Sequence, residues 1–302
     1  MRKDRALPTK AILIVNSASR KGAELFEQAR DLLVAAGIQL LDARAVADPK
    51  NLPSEVRTAV ESAPMVIVGG GDGTLSEAVD HFLGSDTVFA LLPLGTANSF
   101  ARTLGIPLDL EGAVEAIRSG EVRKIDLAAI DGDYFLNNAA LGLAPVVAQT
   151  VPRTLKKSFG RLGYLLWAGW SAASFKAFRL LVDDGERNHS LWTTEARIAN
   201  GRFHGGIELI ENAQLESGEI IVQAVEGRSL TRLGWSYLAS MIKHPAREQV
   251  VREFRGRRLR IETRPRMRVS IDGELGPETP FDAWAVPQAI RVAAPREASR
   301  PD

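Results

Sequence analysis

Residues 65–77, MVIVGGGDGTLSE, decide the fold of this chain. A β-branched apolar run, Val66-Ile67-Val68, halts at Gly69-Gly70-Gly71, and Asp72, Gly73 and Thr74 follow. Leu75-Ser76-Glu77-Ala78-Val79 then reads as the start of a helix. Strand, glycine turn and helix in that order bring bare backbone N–H groups and a helix N-terminus to one point, which suits phosphate oxygens. Glycine supplies positive φ there and lets a ligand approach the main chain. Asp72 is informative, because a carboxylate beside phosphates repels them unless a cation lies between. It points to Mg²⁺ or to proton transfer. Taken alone, the stretch also fits a tight βα turn with an aspartate near a helix cap. It contains no GxxxxGK[ST], and its glycine spacing is wrong for GxGxxG.

Working outward, the same alternation repeats on both sides. Ala11–Val15 is a buried-strand pattern, a polar loop Asn16–Gly22 follows, and Ala23–Ala36 has helical periodicity ending at Gly37. That loop is either a second phosphate-facing turn or a plain polar connection. Ile38–Val46 reads as a strand, Pro53–Ser62 as a helix, and Val88–Leu92 as a further buried strand. The last runs into Pro93-Leu94-Gly95-Thr96-Ala97-Asn98-Ser99-Phe100-Ala101-Arg102. Ligands of open α/β sheets bind beyond the carboxyl ends of strands, where both this loop and GGGDGT fall. Thr96 and Asn98 offer side-chain hydrogen bonds, and Arg102 a charge for a phosphate or a structural carboxylate. Leu110–Arg118 closes this half as a helix. The expected architecture is α/β, a Rossmann-like parallel sheet with covering helices, over residues 1–125.

Past Lys124 the pattern changes to shorter strands: Ile125–Ile130, Tyr134–Ala140, Phe178–Asp183, Ser190–Asn200, Glu219–Ala224, Arg258–Glu262 and Met267–Ile271. Asp131-Gly132-Asp133 is a hairpin turn. A mostly antiparallel β-sandwich is expected over residues 126–302. Two helical insertions interrupt it. Leu155–Ala177, with lysines followed by Tyr164, Trp167 and Trp170, packs on the sheet or rests on an anionic membrane. Ser229–Lys243 reads as a packing helix. Val269-Ser270-Ile271-Asp272-Gly273-Glu274 sets two carboxylates around a glycine. Such a pair holds a cation or takes a proton, and otherwise is only an Asp-Gly turn.

Composition removes several classes of function. With 302 residues and 45% hydrophobic content, the chain can bury two modest cores. A net charge of +1 argues against a general nucleic-acid binder. The charge is nevertheless uneven. No acidic residue lies between Asp133 and Asp183, whereas Arg153, Lys156, Lys157, Arg161, Lys176 and Arg179 do. The arginine-rich run Arg255–Arg268 alternates charged with apolar residues, as a half-exposed strand does. The absence of cysteine excludes disulfides and thiolate metal sites, and His81, His189, His204 and His244 have no zinc-like spacing. The N-terminal apolar run is too short for a secretory signal, and Leu162–Phe175 is too short to span a bilayer. A cytoplasmic protein is expected, with peripheral membrane contact left open.

Together these stretches resemble the diacylglycerol kinase catalytic-domain family, which includes bacterial lipid kinases and sphingosine-type kinases. Gly70-Gly71-Asp72-Gly73-Thr74 is similar to its GGDGT, Pro93–Arg102 to its PLGTANDFAR, and Ile271–Glu274 to its closing DGE. The resemblance implies an ATP:lipid phosphotransferase with a Rossmann-like domain, a β-sandwich and a cleft between them. It implies ATP held by Asn16, Gly70, Gly71, Asp72, Gly73, Thr74, Thr96 and Asn98. Glu274 stands where the family's proton acceptor falls, Asp272 and Asp72 contribute to base chemistry, and both aspartates are the expected Mg²⁺ ligands. The partner implied is a lipid at a membrane surface, with no nucleic acid and no transmembrane segment; a homodimer is left open. The chain departs from the family at Asn16-Ser17 for Asn-Pro, at Ser99 for aspartate, and at Ser217. There the family often carries an Asp-Gly that holds a structural Mg²⁺. The competing readings are an NAD kinase, which shares GGDGT, and a catalytically weak lipid-binding or regulatory protein on the same fold.

Overall fold

Four strands, β1 (Lys10–Asn16), β2 (Gln39–Val46), β3 (Met65–Gly70) and β4 (Val88–Pro93), lie parallel in the order β2-β1-β3-β4; β1, β3 and β4 are apolar almost throughout, whereas the edge strand β2 carries Gln39, Asp42 and Arg44 and is largely exposed. The computed structural model describes residues 5–18, 20–143, 145, 175–229, 231, 235 and 251–296. Every residue of β3 and β4 is buried, as it must be where helices cover both faces of a parallel sheet. α1 (Arg20–Ala35) and α5 (Leu110–Ser119) pack together, as do α2 (Leu52–Ser62) and α3 (Asp72–Val79); α4 (Ser99–Leu104) follows β4. α1 stops at Gly37, where φ is 84° and the amides of Gly37 and Ile38 return to the carbonyls of Val34 and Leu33. α5 starts at Asp109, whose side chain accepts the Gly112 amide at 2.7 Å. Because the chain leaves β1 for β2 on one side and enters β3 on the other, the switch point lies between β1 and β3.

The second half is antiparallel. Its strands are β5 (Glu121–Ile130), β6 (Asp133–Phe135), β7 (Asn138–Gly142), β8 (Phe178–Asp183), β9 (Asn188–Ala199), β10 (Phe203–His204), β11 (Ile207–Glu208), β12 (Ile220–Glu226), β13 (Val251–Gly256), β14 (Arg258–Arg264), β15 (Arg268–Ile271), β16 (Glu274–Glu278) and β17 (Phe281–Ala294). β9 joins two layers. Its first half pairs with β8, which leads to β14 and β17, while its second half pairs with β7 and β12. A core forms between them from Phe178, Leu180, Ile261 and Ala283 on one side and Leu141, Ile198, Val222 and Val269 on the other. β14 alternates exposed arginines with buried Leu259, Ile261 and Thr263, as its charge pattern predicts.

Three observations differ from the sequence reading. β10, β11, β13, β16 and the long β17 were not expected. Tyr134–Ala140 is not one strand, because it breaks at Leu136-Asn137, and the amides of Leu136 and Asn138 turn to the Asp272 carboxylate. The division we propose at residues 125 and 126 is one of cores rather than of strands. β5 runs across it, pairing with β17 from Glu121↔Ala294 to Ile130↔Ala283, and the end of β17 lies parallel to β4. Ile290, Val292, Ala293 and Ala294 thus complete the first core. Arg153, Lys156, Lys157 and Arg161 and most of the expected helices Leu155–Ala177 and Ser229–Lys243 lie outside the described residues. Among the described residues no helix is long and apolar enough to cross a membrane.

Candidate active site

The loops after β1, β3 and β4 meet at one edge of the parallel sheet. Asn16 donates from Nδ2 to Thr74 Oγ1 at 3.0 Å and accepts the Ala18 amide at 3.2 Å, which ties the first loop to the start of α3. The glycines of the second loop serve close approach rather than unusual backbone. None of Gly69, Gly70, Gly71 or Gly73 has positive φ, which corrects that part of the sequence argument. A Cβ on Gly70 would lie 2.5 Å from Thr74 Cβ, and one on Gly95 would lie 2.5 Å from Gly71 Cα. The loops after β3 and β4 are therefore pressed backbone to backbone. Gly73 differs, because it is exposed and a Cβ there would meet nothing within 4 Å.

Asp72 links these loops chemically. Its two carboxylate oxygens accept the amides of Ser99 at 3.0 Å and Phe100 at 3.1 Å, the first two residues of α4. Asn98, in the cap position, sits in the left-handed region at φ 49° and makes no side-chain cap of its own. Its amide is used within its own loop: Oδ1 accepts the Gly95 amide, and Nδ2 donates to the carbonyls of Pro93 and Gly95. Asn98 is buried, whereas Thr96 is exposed at the loop tip. Arg102 donates to the Ala97 carbonyl at 3.0 Å.

The Asp272-Gly273 turn approaches from the antiparallel half. With φ of 45° and 102° at these residues and Ile271 opposite Glu274, it is a tight hairpin between β15 and β16. The plain turn reading is therefore correct for the backbone, and the side chain does more. Asp272 accepts Ser76 Oγ at 2.8 Å, the Leu136 amide at 3.2 Å and the Asn138 amide at 3.3 Å. Ser76 stands on α3 one turn after Asp72, so a single helix serves both carboxylates. Burial pushes Asp272 up to about 6 against the pull of these hydrogen bonds, with the Asp72 charge adding to the rise. Glu274 is exposed. Glu77 is also raised, by desolvation first and then by the Glu274 charge, so these carboxylates from α3 and β16 feel each other.

A carboxyl raised on folding leaves stability intact below its unfolded value and costs more as pH climbs through about 6. The expected cost at pH 7 is on the order of 3 kcal/mol. In urea melts at pH 4 and pH 7, Asp272→Asn should shrink the difference in unfolding free energy by that order. An unchanged difference would contradict the assignment.

Two further groups were not foreseen. Asn138 Nδ2 donates to the Phe203 carbonyl at 2.9 Å, while its Oδ1 lies 2.8 Å from His204 Nδ1. Burial, with the Arg197 charge second, pushes His204 down to about 4, so the ring is neutral at pH 7. The Gly206 amide in turn donates to Ser99 Oγ at 3.2 Å, which sets the β10–β11 hairpin on the loop after β4. Ser76 was not foreseen either, and its place one helical turn after Asp72 is the signal that could have found it. The Asn138–His204 pair spans 66 residues and leaves no local signal.

The implied metals fit unequally. Both oxygens of Asp72 and of Asp272 are engaged by protein donors, and no group of three or more His, Asp or Glu side chains able to hold a metal occurs among the described residues. These aspartates suit one or two contacts to a Mg²⁺ held mainly by phosphates, not a protein cage. The structural Mg²⁺ does not fit. Ser217 Oγ donates to the carbonyl of Gln214 at 3.0 Å, Glu216 pairs with Arg123 at 2.7 Å, and buried Asp126 accepts the amides of Gly218 and Gln288. Hydrogen bonds close this turn.

Known proteins resemble this chain over most of its length. Residues 10–130 match the model of the diacylglycerol kinase catalytic domain, and residues 137–294 that of the YegS C-terminal NAD kinase beta sandwich-like domain. A diacylglycerol kinase of Staphylococcus haemolyticus (strain JCSC1435) is 28% identical over 240 residues, 77% of this chain and 72% of that one. One of Staphylococcus aureus (strain bovine RF122 / ET3-1) is 29% identical over 248 residues, 80% and 78% of the two chains. The crystal structure of a diacylglycerol kinase from Bacillus anthracis str. Sterne superposes with a TM-score of 0.75 at 21% identity, covering 95% of this chain and 97% of that one. That likeness is one of fold.

Proposed function

The chain belongs to the family that joins a diacylglycerol kinase catalytic domain to a YegS-type C-terminal sandwich, and from that membership we propose that it transfers the γ-phosphate of ATP to a hydroxyl of a lipid such as diacylglycerol. One observation carries the reading. The loops after β1, β3 and β4 meet at the switch point of a parallel sheet, and the Asp272-Gly273-Glu274 turn is tied to the same helix, α3, through Ser76. Nucleotide loops and acceptor-side carboxylates thus share one support.

In this reading backbone amides of Gly70–Thr74 and the Thr96 loop hold the phosphates, with Asn16 fixing Thr74. Mg²⁺ supplies charge neutralisation when bound with ATP, with Asp72 and Asp272 as its protein contacts. The acceptor hydroxyl gives its proton to the Asp272–Glu274 pair. Its oxygen then bonds to the γ-phosphorus as the bond to the β-phosphate oxygen breaks and ADP leaves. The lipid is met at a membrane surface by peripheral contact.

The test is transfer of label from ATP to a lipid panel in mixed micelles with Mg²⁺. Wild type should label lipid, and Glu274→Gln should lose about 10²-fold while keeping its affinity for ATP. Formation of NADP from ATP and NAD, without lipid labelling, would replace this reading by the NAD kinase one. ATP binding without any turnover would favour a lipid-binding protein.

A further inference from the structure

Between β6 and β7 the chain leaves its ladders. Phe135 pairs with Ala128 and Asn138 with Ala199, but among the described residues no strand pairs with Leu136 or Asn137. Their backbone groups must be met in other ways. The Leu136 amide, with that of Asn138, goes to the Asp272 carboxylate. The Asn137 carbonyl accepts the amides of Asn200 at 2.8 Å and Gly201 at 3.0 Å. The Leu136 carbonyl accepts Asn200 Nδ2 at 3.0 Å, and the same Nδ2 donates at 3.0 Å to the Asp126 carbonyl on β5. Both carbonyls can only accept, so the orientation of the Asn200 amide is fixed by chemistry, with one proton of its NH₂ on each. Asn200 is buried. Two buried carbonyls need a neutral fork with two protons, whereas a hydroxyl has one and an ammonium or guanidinium brings a charge. A Cβ on Gly201 would lie 2.7 Å from Asn137 Oδ1, so the chain leaving β9 is pressed against the break. Asn200 thus ties the break to β5, the strand that runs through both cores.

We propose that Asn200 is a positioning residue for phosphate transfer: it sets the break that turns two amides onto Asp272, and so holds that carboxylate where the acceptor hydroxyl gives up its proton. The inference rests on the lipid-kinase reading and deepens it. Asp272 is held from two sides. Ser76 reaches it from α3 of the parallel half, and the break reaches it from the sandwich. Without the Asn200 fork the break keeps its main-chain contacts at the Asn137 carbonyl but can turn about them, and the two amides no longer arrive together at one carboxylate. Phosphoryl transfer depends on alignment, so a small displacement of that carboxylate slows it.

The experiment measures kcat and lipid KM for transfer of label from ATP to the best acceptor of the lipid panel, with a thermal midpoint for each protein. Wild type, Asn200→Ala, Asn200→Ser and Thr263→Ala are compared. Asn200→Ser keeps one proton of the two. Thr263, whose hydroxyl bonds that of Thr279 at 2.6 Å inside the sandwich, controls for lost stability alone. Asn200→Ala should lower kcat about 10²-fold and Asn200→Ser about tenfold, with KM for the lipid unchanged. Thr263→Ala should melt lower yet keep its kcat. The Asn200 substitutions are then repeated in Asp272→Asn. A residue that acts through Asp272 has little left to lose there, so they should change kcat by no more than about twofold. The same fold loss in both backgrounds overturns the assignment in favour of a structural role. A wild-type kcat in Asn200→Ala, or in Asn200→Ser where the alanine variant does not fold, also overturns it, as does a loss confined to lipid KM. Wild type that labels no lipid overturns the kinase reading itself, and this inference with it.

Discussion

Asp72→Ala is expected to lower kcat/KM for phosphate transfer about a thousandfold and to destabilise the fold by about 1–2 kcal/mol. The two losses have one origin. Ser99 and Phe100 are buried at the start of α4, and their amides are satisfied by a carboxylate that comes from another loop. Without it, two orphan donors of a helix start remain in the interior, and the Thr96 loop before α4 loses its anchor. Asp72→Asn separates the contributions. One oxygen remains to accept an amide, so more than half of the stability should return, whereas the charge near the phosphates does not. Urea unfolding beside the transfer assay checks both. Full stability and activity in the alanine variant would mean that the Asp72 link between loops is dispensable.

Gly95→Ala should also cut transfer about a thousandfold, for a different reason. The new methyl group would lie 2.5 Å from Gly71 Cα and 2.8 Å from Asn98 Oδ1, and backbone cannot yield as a flexible side chain would. The loops after β3 and β4 must separate, at an overpacking cost of about 1–3 kcal/mol. Gly73→Ala is the matched control, since its methyl group meets nothing within 4 Å. It should melt like wild type while its Kd for Mg-ATP rises, because only a bound phosphate contests that space. Calorimetric titration with Mg-ATP and thermal melting distinguish the two substitutions. A Gly95→Ala protein that binds ATP normally would show that the loops tolerate separation.

The parallel half was legible because its inner strands β1, β3 and β4 are buried on both faces. Unbroken runs such as Ala11–Val15 and Val88–Leu92 leave no second interpretation when polar loops and helical patterns alternate with them. β17 was hidden for a local reason. Phe281, Ala283 and Ala285 alternate inward, but Pro287 interrupts the run, and the strand continues only by shifting its pairing with β5 between Val286 and Ile290. The positions of Asp72 and Asp272 on candidate loops could be read from the sequence, but their partners could not. Amides of Ser99, Leu136 and Asn138 carry no side-chain signature, and a backbone N–H looks the same in every residue but proline. The need for glycine was visible at 70 but not at 95, and its causes, the Thr74 side chain against Gly70 and the Gly71 main chain against Gly95, exist only in three dimensions.

The pairing of β5 with β17 has a mechanical consequence. The two strands run from one core into the other, from Glu121↔Ala294 to Ile130↔Ala283. Swinging the cores apart would therefore tear a ladder at its middle, which is partial unfolding rather than a hinge motion. The natural weak joint is the shift between Val286 and Ile290, and it is clamped, since Asp126 takes the Gln288 amide at 2.8 Å and the Gly218 amide at 2.6 Å. The jaw has a fixed gape. A substrate therefore meets the two cores in the arrangement that this ladder sets.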